Sequence, residues 1–288
     1  MRKHKALLLL PGLTALLLVI LFPLVFTIRV SFSSWNVSSP ILDWLGIANY
    51  SELIRDQRYW SSLFRLTSYV AITVTLQYIL GFGLALLVWK EIRARRFFRV
   101  LFLVPMMTTP VVMTIIWRTI FHESLGPAND LIGIFGMGPW PWLTDEKMAT
   151  LSIVIVEVWQ WTSFMFLLLL AGLVSLPKEP YLAAAIDGAG PLRTFFKVTF
   201  PLMAPISVGA ILIRLIEASK ILDTVYVLTS GGPGSSTETP AYYIYIRGLR
   251  DFQIAYAASL SLVYLVIMTI ALTVISKILI RVFTPKGT

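Results

Sequence analysis

The sequence predicts an all-α polytopic membrane protein with six transmembrane helices and both termini in the cytoplasm. Three observations predict it. The chain has 288 residues, 57% hydrophobic and 14% charged, with a mean hydropathy of +0.79; a soluble domain is about 45–50% apolar and about 25% charged. The apolar residues gather into six runs, each near the ~20 residues that cross the hydrocarbon core. The basic residues alternate in number from one connection to the next, as they do when cytoplasmic loops carry the Lys/Arg excess. This composition excludes a disordered chain and argues against a soluble globular enzyme.

The first run, Ala6–Ile28, follows Met1-Arg2-Lys3-His4-Lys5. It is longer than a signal peptide's apolar region and no small-x-small cleavage site closes it, so it reads as an uncleaved span. The others are Leu66–Trp89, Val100–Phe121, Ala149–Val174, Leu202–Val227 and Ala255–Ile280. The N-terminal tail holds Arg2, Lys3 and Lys5; the second connection Lys90, Arg93, Arg95, Arg96 and Arg99; the fourth Lys178, Arg193 and Lys197; the C-terminal end Lys277, Arg281 and Lys286. These outnumber Arg29, Arg55, Arg58, Arg65, Lys147, Arg247 and Arg250 on the other three connections. An even number of spans follows, and much of the +9 net charge is topology and lipid headgroup contact rather than a nucleic-acid surface. Trp35, Trp44 and Trp60 on one outer connection, and Trp140-Pro141-Trp142 on the next, suit a membrane interface. The outer connection 228–254 opens with the breaker cluster Ser230-Gly-Gly-Pro-Gly-Ser-Ser236. In domain terms, 1–65 is an N-terminal transmembrane helix with its outer loop, and 66–288 a five-helix core.

Cysteine is absent, which excludes a disulfide framework, a thiolate metal site and a cysteine nucleophile. The two histidines, His4 and His122, stand far apart, so no histidine metal site is expected.

The connection 175–201 carries the strongest local signal. Pro180 suits the first turn of a helix. Leu182, Ala185, Ile186 and Ala189 stand at i, i+3, i+4 and i+7, one apolar face. Gly188 and Gly190 allow a turn, and Pro191 can start a second short helix. The apolar face is half alanine. Such a face buries little area in lipid and suits a protein groove, with Ala184 and Gly188 permitting close packing and Asp187 able to cap a helix end or accept a hydrogen bond.

Here the sequence resembles a known family. Ala183-Ala184-Ala185-Ile186-Asp187-Gly188-Ala189-Gly190, with Phe196, Thr199, Pro201 and Leu202 after it, resembles the "EAA" loop of binding-protein-dependent ATP-binding-cassette (ABC) importers, in particular the carbohydrate and glycerol-phosphate permeases of maltose type. Arg96-Phe97-Phe98-Arg99 leading to Pro105, Trp117-Arg118 with Gly126 and Asn129, Trp159 to Phe164 before Leu176-Pro177, and Asp223 to Pro233 are similar to further stretches of that family. The family usually has Glu where this chain has Leu182. The resemblance implies a type I importer permease in a bacterial or archaeal plasma (inner) membrane. It implies a second homologous permease subunit, a cytoplasmic ABC ATPase dimer and an extracytoplasmic solute-binding protein as partners. Leu182, Ala183, Ala184, Asp187 and Gly188 would be the ATPase-coupling positions.

The chain has no Gly-x-x-x-x-Gly-Lys-Ser/Thr, and Gly231–Ser236 lacks the lysine. No cofactor is therefore expected on it; ATP and Mg would be bound by the partner, and the chain itself would catalyse nothing. Ionisable residues inside spans are costly and usually functional. Arg118, Glu157, Arg214, Glu217, Lys220 and Asp223 all fall in the outer half, with Gln77 and Gln160 as polar neighbours. They are the candidate solute pathway; the competing reading is interfacial snorkelling and i, i+3 ion pairing along 214–223. An ion-gradient-driven secondary transporter would favour two paired halves and midplane carboxylates, and a membrane enzyme would favour clustered His, Cys or carboxylates. Neither pattern is present.

Overall fold

The computed structural model describes residues 2–38, 42–90 and 93–283; Lys286, counted above toward the cytoplasmic end, lies outside them. The regular elements among the described residues are helices: α1 (Arg2–Ser31), α2 (Ala48–Arg55), α3 (Gln57–Trp89), α4 (Arg95–Leu103) with a 3-10 turn (Val104–Met107), α5 (Pro110–Ile120), α6 (Pro127–Gly133), α7 (Glu146–Ser175), α8 (Glu179–Ile186), α9 (Pro191–Thr194), a π turn (Phe195–Thr199), α10 (Phe200–Ala218), α11 (Asp223–Leu228), α12 (Pro240–Tyr245), a second π turn (Ile246–Arg250) and α13 (Ile254–Phe283). Their one extended pairing is an isolated bridge between Ser33 and Trp44.

Among the described residues five helices are long and apolar enough to cross a membrane: Leu10–Ser31, Gln57–Trp89, Glu146–Ser175, Pro191–Ala218 and Ile254–Val282. One further pair of helices is long and apolar enough only when taken together, as a broken span or a re-entrant loop. The sequence predicts a straight span over Val100–Phe121; instead Arg95–Met107 and Pro110–Ile120 meet at 95°. Pro110 has no N–H to give, and it holds Thr109 extended (φ −67°, ψ 142°). The expected span Leu202–Val227 is also corrected. Its helix begins eleven residues earlier, at Pro191, and runs through a π turn to Ala218 rather than following a separate short helix. It then breaks, and Asp223–Leu228 forms a helix of its own. The Thr239 hydroxyl donates to the Ile221 carbonyl (2.9 Å), satisfying an acceptor released at that break.

The chain forms two compact units, residues 1–61 with 243–268, and residues 62–242 with 269–288. In the first, α1 is nearly bare, with 6% of its apolar window buried. Asn49 pins the chain leaving it, its amide donating to the Ser31 and Ser33 carbonyls (2.8 and 2.9 Å). Leu53, Tyr59, Tyr243, Tyr256 and Leu260 form the small core of this unit.

The second unit is centred on α7, the most buried of the long helices. Asp145 caps its start, accepting from the backbone N–H groups of Lys147 and Met148 (3.0 Å each). Met165, Phe166, Leu169 and Leu173 of α7 meet Phe82 and Ala85 of α3 and Met203 and Ala210 of α10. Gly81 lets α3 touch α7: a Cβ there would lie 2.6 Å from the Met165 Cβ. Close approach of this kind drives helix association where lipid is as apolar as leucine.

Candidate functional site

Two places in the second unit gather the residues singled out from the sequence. The first is α8 and the turn after it. Pro180 sits in its first turn, and its end is a Schellman motif: the Ala189 N–H donates to the Ala184 carbonyl (2.9 Å) and the Gly188 N–H to the Ala185 carbonyl (3.1 Å). Gly188 carries the left-handed φ (+68°) that this motif needs, and a Cβ there would meet nothing of the chain within 4 Å. The Tyr181 ring lies 5.6 Å from the Trp89 ring at the end of α3, and its hydroxyl donates to Thr199 Oγ1 (3.1 Å). These two contacts hold α8 against the chain. Leu182 is 64% exposed and Ile186 87%; Ala183, Asp187 and Gly188 are exposed too. Ala184 is the exception: it is buried against its own chain.

The second place is polar and dry. Arg214 of α10 is 1% exposed and Glu157 of α7 5%. Arg214 Nη2 lies 2.8 Å from Glu157 Oε2. Its Nε donates to Gln77 Oε1 of α3 (2.7 Å), and Gln77 Nε2 donates to the Glu157 backbone carbonyl (2.9 Å). The Thr224 hydroxyl of α11 donates to Glu157 Oε1 (2.6 Å). The Arg214 guanidinium also lies over the Trp161 ring, 4.5 Å from its centroid. Four helices are tied by one ion pair whose charged atoms are hydrogen-bonded, which is what keeps a buried pair from being a net cost.

The remaining candidates lie around this knot. Arg118 Nη1 donates to the Val227 carbonyl (3.1 Å) in the last turn of α11, a favourable place for a cation. Asp223 is exposed in the first turn of that helix, where the dipole favours an anion. Glu217 and Lys220 pair across one turn at 2.8 Å, both exposed. Gln160 is buried, its Nε2 donating to the Thr108 carbonyl at the break between α4 and α5 (3.3 Å). Thus Gln77, Glu157 and Arg214 are brought together, Arg118 and Asp223 mark the two ends of α11, and Glu217 and Lys220 face outward. Thr224 and Trp161 complete the knot and were not among the sequence candidates.

Sequence reasoning also missed a network in the first unit. Asp56 Oδ2 accepts from the Tyr243 and Tyr256 hydroxyls (2.6 and 2.7 Å), and Arg247 Nε donates to the Tyr243 oxygen (2.9 Å). Burial alone would push the Asp56 carboxyl up, but the two tyrosine hydroxyls, the Tyr59 N–H and the Arg247 charge together hold it below the ordinary value of 3.8. The Tyr243 hydroxyl is pushed up to about 12, by burial first and then by its bond to the Asp56 carboxylate. Among the described residues no group of three His, Cys, Asp or Glu is placed to hold a metal ion.

Comparison with known proteins adds a family. The family model described as "Binding-protein-dependent transport system inner membrane component" matches residues 77–287. The probable ABC transporter permease protein y4oQ of Sinorhizobium fredii is 35% identical over 258 residues, 89% of this chain and 83% of that one. The trehalose/maltose transport system permease protein MalF of Thermococcus litoralis is 34% identical over 255 residues, 88% of this chain and 86% of that one. A chain of the bacterial alginate ABC transporter, solved in complex with an alginate pentasaccharide-bound periplasmic protein, superposes with a TM-score of 0.85. It is 16% identical and the match covers 100% of this chain and 97% of that one, so the likeness is one of fold.

Proposed function

Because this chain belongs to the binding-protein-dependent transport system inner membrane components, and is therefore a multi-pass, non-catalytic permease subunit of an ABC importer, we propose that it carries a sugar, polyol or glycerol-phosphate-like solute and takes its drive from a cytoplasmic ATPase dimer through α8. Both termini are then cytoplasmic. A second homologous permease completes the pathway and an extracytoplasmic protein delivers the solute. The trehalose/maltose assignment of a relative and the periplasmic protein bound to the alginate transporter support the solute class and the delivery partner.

The observation that carries the coupling assignment is the exposed apolar face of α8, Leu182 and Ile186, on a helix whose end is fixed by backbone hydrogen bonds. A short helix projecting leucine and isoleucine from the chain is incomplete without a partner surface. Beyond the turn at Gly188 the helix runs without a break from Pro191 through the π turn and α10 to Arg214, and the ion pair passes to α7. Closure of the ATPase pair on ATP would move α8, and the connected helices would reopen the spans to the other side. In this reading Leu182, Ala183, Asp187 and Gly188 meet the ATPase, and Ala184 sets the helix against its own subunit. Glu217, Lys220, Asp223 and Arg118 are offered to the solute, while Gln77, Glu157, Gln160 and Arg214 hold the pathway wall from behind. Arg118 favours a solute with an anionic group, since the Arg214 charge is spent on Glu157.

The test is affinity purification of the chain from its host in mild detergent, scored by co-purified ATPase mass and ATP turnover. Wild type is expected to bring an ATPase, and Gly188→Trp and Ile186→Asp are expected to lose it. Ile186→Asp leaves the backbone unstrained, so it separates loss of docking from misfolding of the turn. Wild type that purifies without an ATPase, under conditions preserving other such complexes, overturns the reading.

A further inference from the structure

The turn between Ile246 and Ala255, in the first unit, has no part in the pathway. Within it Phe252 has a left-handed backbone (φ +56°), a conformation that an aromatic residue adopts only under constraint. The constraint lies on both sides of it. The Asp251 N–H donates to the Ile246 carbonyl and the Gln253 N–H to the Arg247 carbonyl (2.8 Å each), and the Ala255 N–H donates to the Trp35 carbonyl (3.0 Å). Held in this way, Phe252 is 51% exposed, and Leu249 in the π turn before it is 68% exposed. Neither belongs to the small core of Leu53, Tyr59, Tyr243, Tyr256 and Leu260. Backbone strain that gains no packing within the chain points to a contact outside it.

The same turn contributes to a polar pocket. Arg247 Nη1 donates to Gln253 Oε1 (3.4 Å) and lies 3.5 Å from Asp251 Oδ2, so the residues on either side of Phe252 both hold this arginine. Arg247 in turn lines a cavity of about 430 Å³ with Ser51, Glu52, Arg55, Asp56 and Tyr256. The Asp56 carboxylate is occupied there by the Tyr243 and Tyr256 hydroxyls and the Tyr59 N–H. Glu52 and Arg55 stand three apart on α2, a spacing at which opposite charges can pair. Both are exposed, and among the described residues neither enters an ion pair. A free anion and a free cation thus line one pocket, whose Arg247 is tied to a turn bearing two exposed apolar side chains. An anionic lipid headgroup would serve Arg55 and repel Glu52. A protein surface with side chains of both signs and an apolar patch serves all of them.

We propose that α2 and the turn 246–255 form a seat for the extracytoplasmic solute-binding protein. An acidic side chain of that protein enters the pocket toward Arg55 and Arg247, where arginine offers a carboxylate paired donors. A basic side chain meets Glu52, and an apolar patch covers Phe252 and Leu249. The constrained turn holds Phe252 in place before the partner arrives, which reduces the ordering that docking requires. The inference rests on the reading above that such a protein delivers the solute, and it holds for any solute class.

The test uses the assembled transporter in lipid nanodiscs, titrated with the solute-binding protein of the same transport system. Affinity, unfolding temperature and co-purified ATPase are measured on the same preparations. Wild type is expected to bind, and Phe252→Tyr, which keeps the ring, is expected to bind as wild type does. Phe252→Gly removes the ring and relieves the left-handed backbone. It is expected to bind about thirtyfold more weakly, as loss of an interface anchor does, with its ATPase retained and an unfolding temperature no lower than that of wild type. Arg55→Glu is expected to weaken binding about tenfold at low salt, the difference shrinking as salt rises. Undiminished binding by Phe252→Gly leaves the ring to the bilayer, and a fall in its unfolding temperature makes the ring a packing residue. Undiminished binding by Arg55→Glu removes the pocket. Each of these overturns the seat alone, because wild type still binds. Wild type that does not bind overturns the delivery partner as well, so the two failures are told apart.

Discussion

Arg214→Ala would leave the Glu157 carboxylate buried with only the Thr224 hydroxyl on its side-chain oxygens. Removing one partner of such a pair costs about 3–5 kcal/mol, whereas replacing both by apolar residues of similar volume is often neutral. Thermal unfolding of the purified transporter should therefore show Arg214→Ala strongly destabilised and Arg214→Met/Glu157→Met restored toward wild type. If Arg214 served only the solute, the single variant would unfold normally and the double would not restore transport. Gln77, Glu157 and Arg214 are legible in the sequence because a charge or amide in an apolar run is expensive and stands out. Thr224 and Trp161 are not: threonine and tryptophan are ordinary in membrane helices, and only distance shows them beside Arg214. Nor does a sequence show which charges have met each other. The reading that put Arg214 and Glu157 on a pathway rests on their rarity, and rarity is shared by a solute contact and a buried strut.

Helices whose ends are written in local chemistry come out close to expectation. Pro180 and Gly188 bracket α8 in the sequence, and the helix runs Glu179–Ile186 with Gly188 in its closing turn. The long spans are read from apolar run length, which counts side chains and is indifferent to the backbone. Val100–Phe121 and Leu202–Val227 therefore each hide a break. The signal for the first was present in Pro105 and Pro110, since the residue before a proline avoids the helical region. The second break has no such marker. Ser219–Leu222 departs from the helix where Thr224 can reach Glu157 and where Thr239, eighteen residues along the chain from its acceptor, can cap the Ile221 carbonyl. Both are contacts that no window of neighbouring residues contains.

At the scale of the molecule, hydropathy and the distribution of arginine and lysine were enough for a multi-pass helical membrane protein, and the 175–201 segment together with the other stretches similar to the family was enough for the family. The tyrosine–aspartate network was invisible because Tyr256 lies 200 residues from Asp56. It gives the stability of the protein a pH dependence of known sign. The Asp56 carboxyl is held below its ordinary value in the fold, so its contribution is complete above that value and is lost as pH falls through the lowered one. Wild type should exceed Asp56→Asn in unfolding temperature by a constant margin from pH 7 to 5, and the margin should close as pH drops below 3.8 toward the folded-state value. A margin that widens in acid would reverse the assignment. The π turn at Phe195–Thr199 has a different kind of consequence. There the Phe200 N–H reaches back five residues, to the Phe195 carbonyl, instead of four, so the turn stores one residue more than a regular helix needs. Deleting the exposed Lys197 should convert it to an ordinary turn and leave α8 and Arg214 facing as before. The same deletion at Val208 would rotate Arg214 by about 100° away from Glu157. Tolerance to shortening is thus expected to be concentrated in those five residues, measurable by scanning single deletions along 195–213 for assembled transporter: spare chain length, kept between α8 and the ion pair.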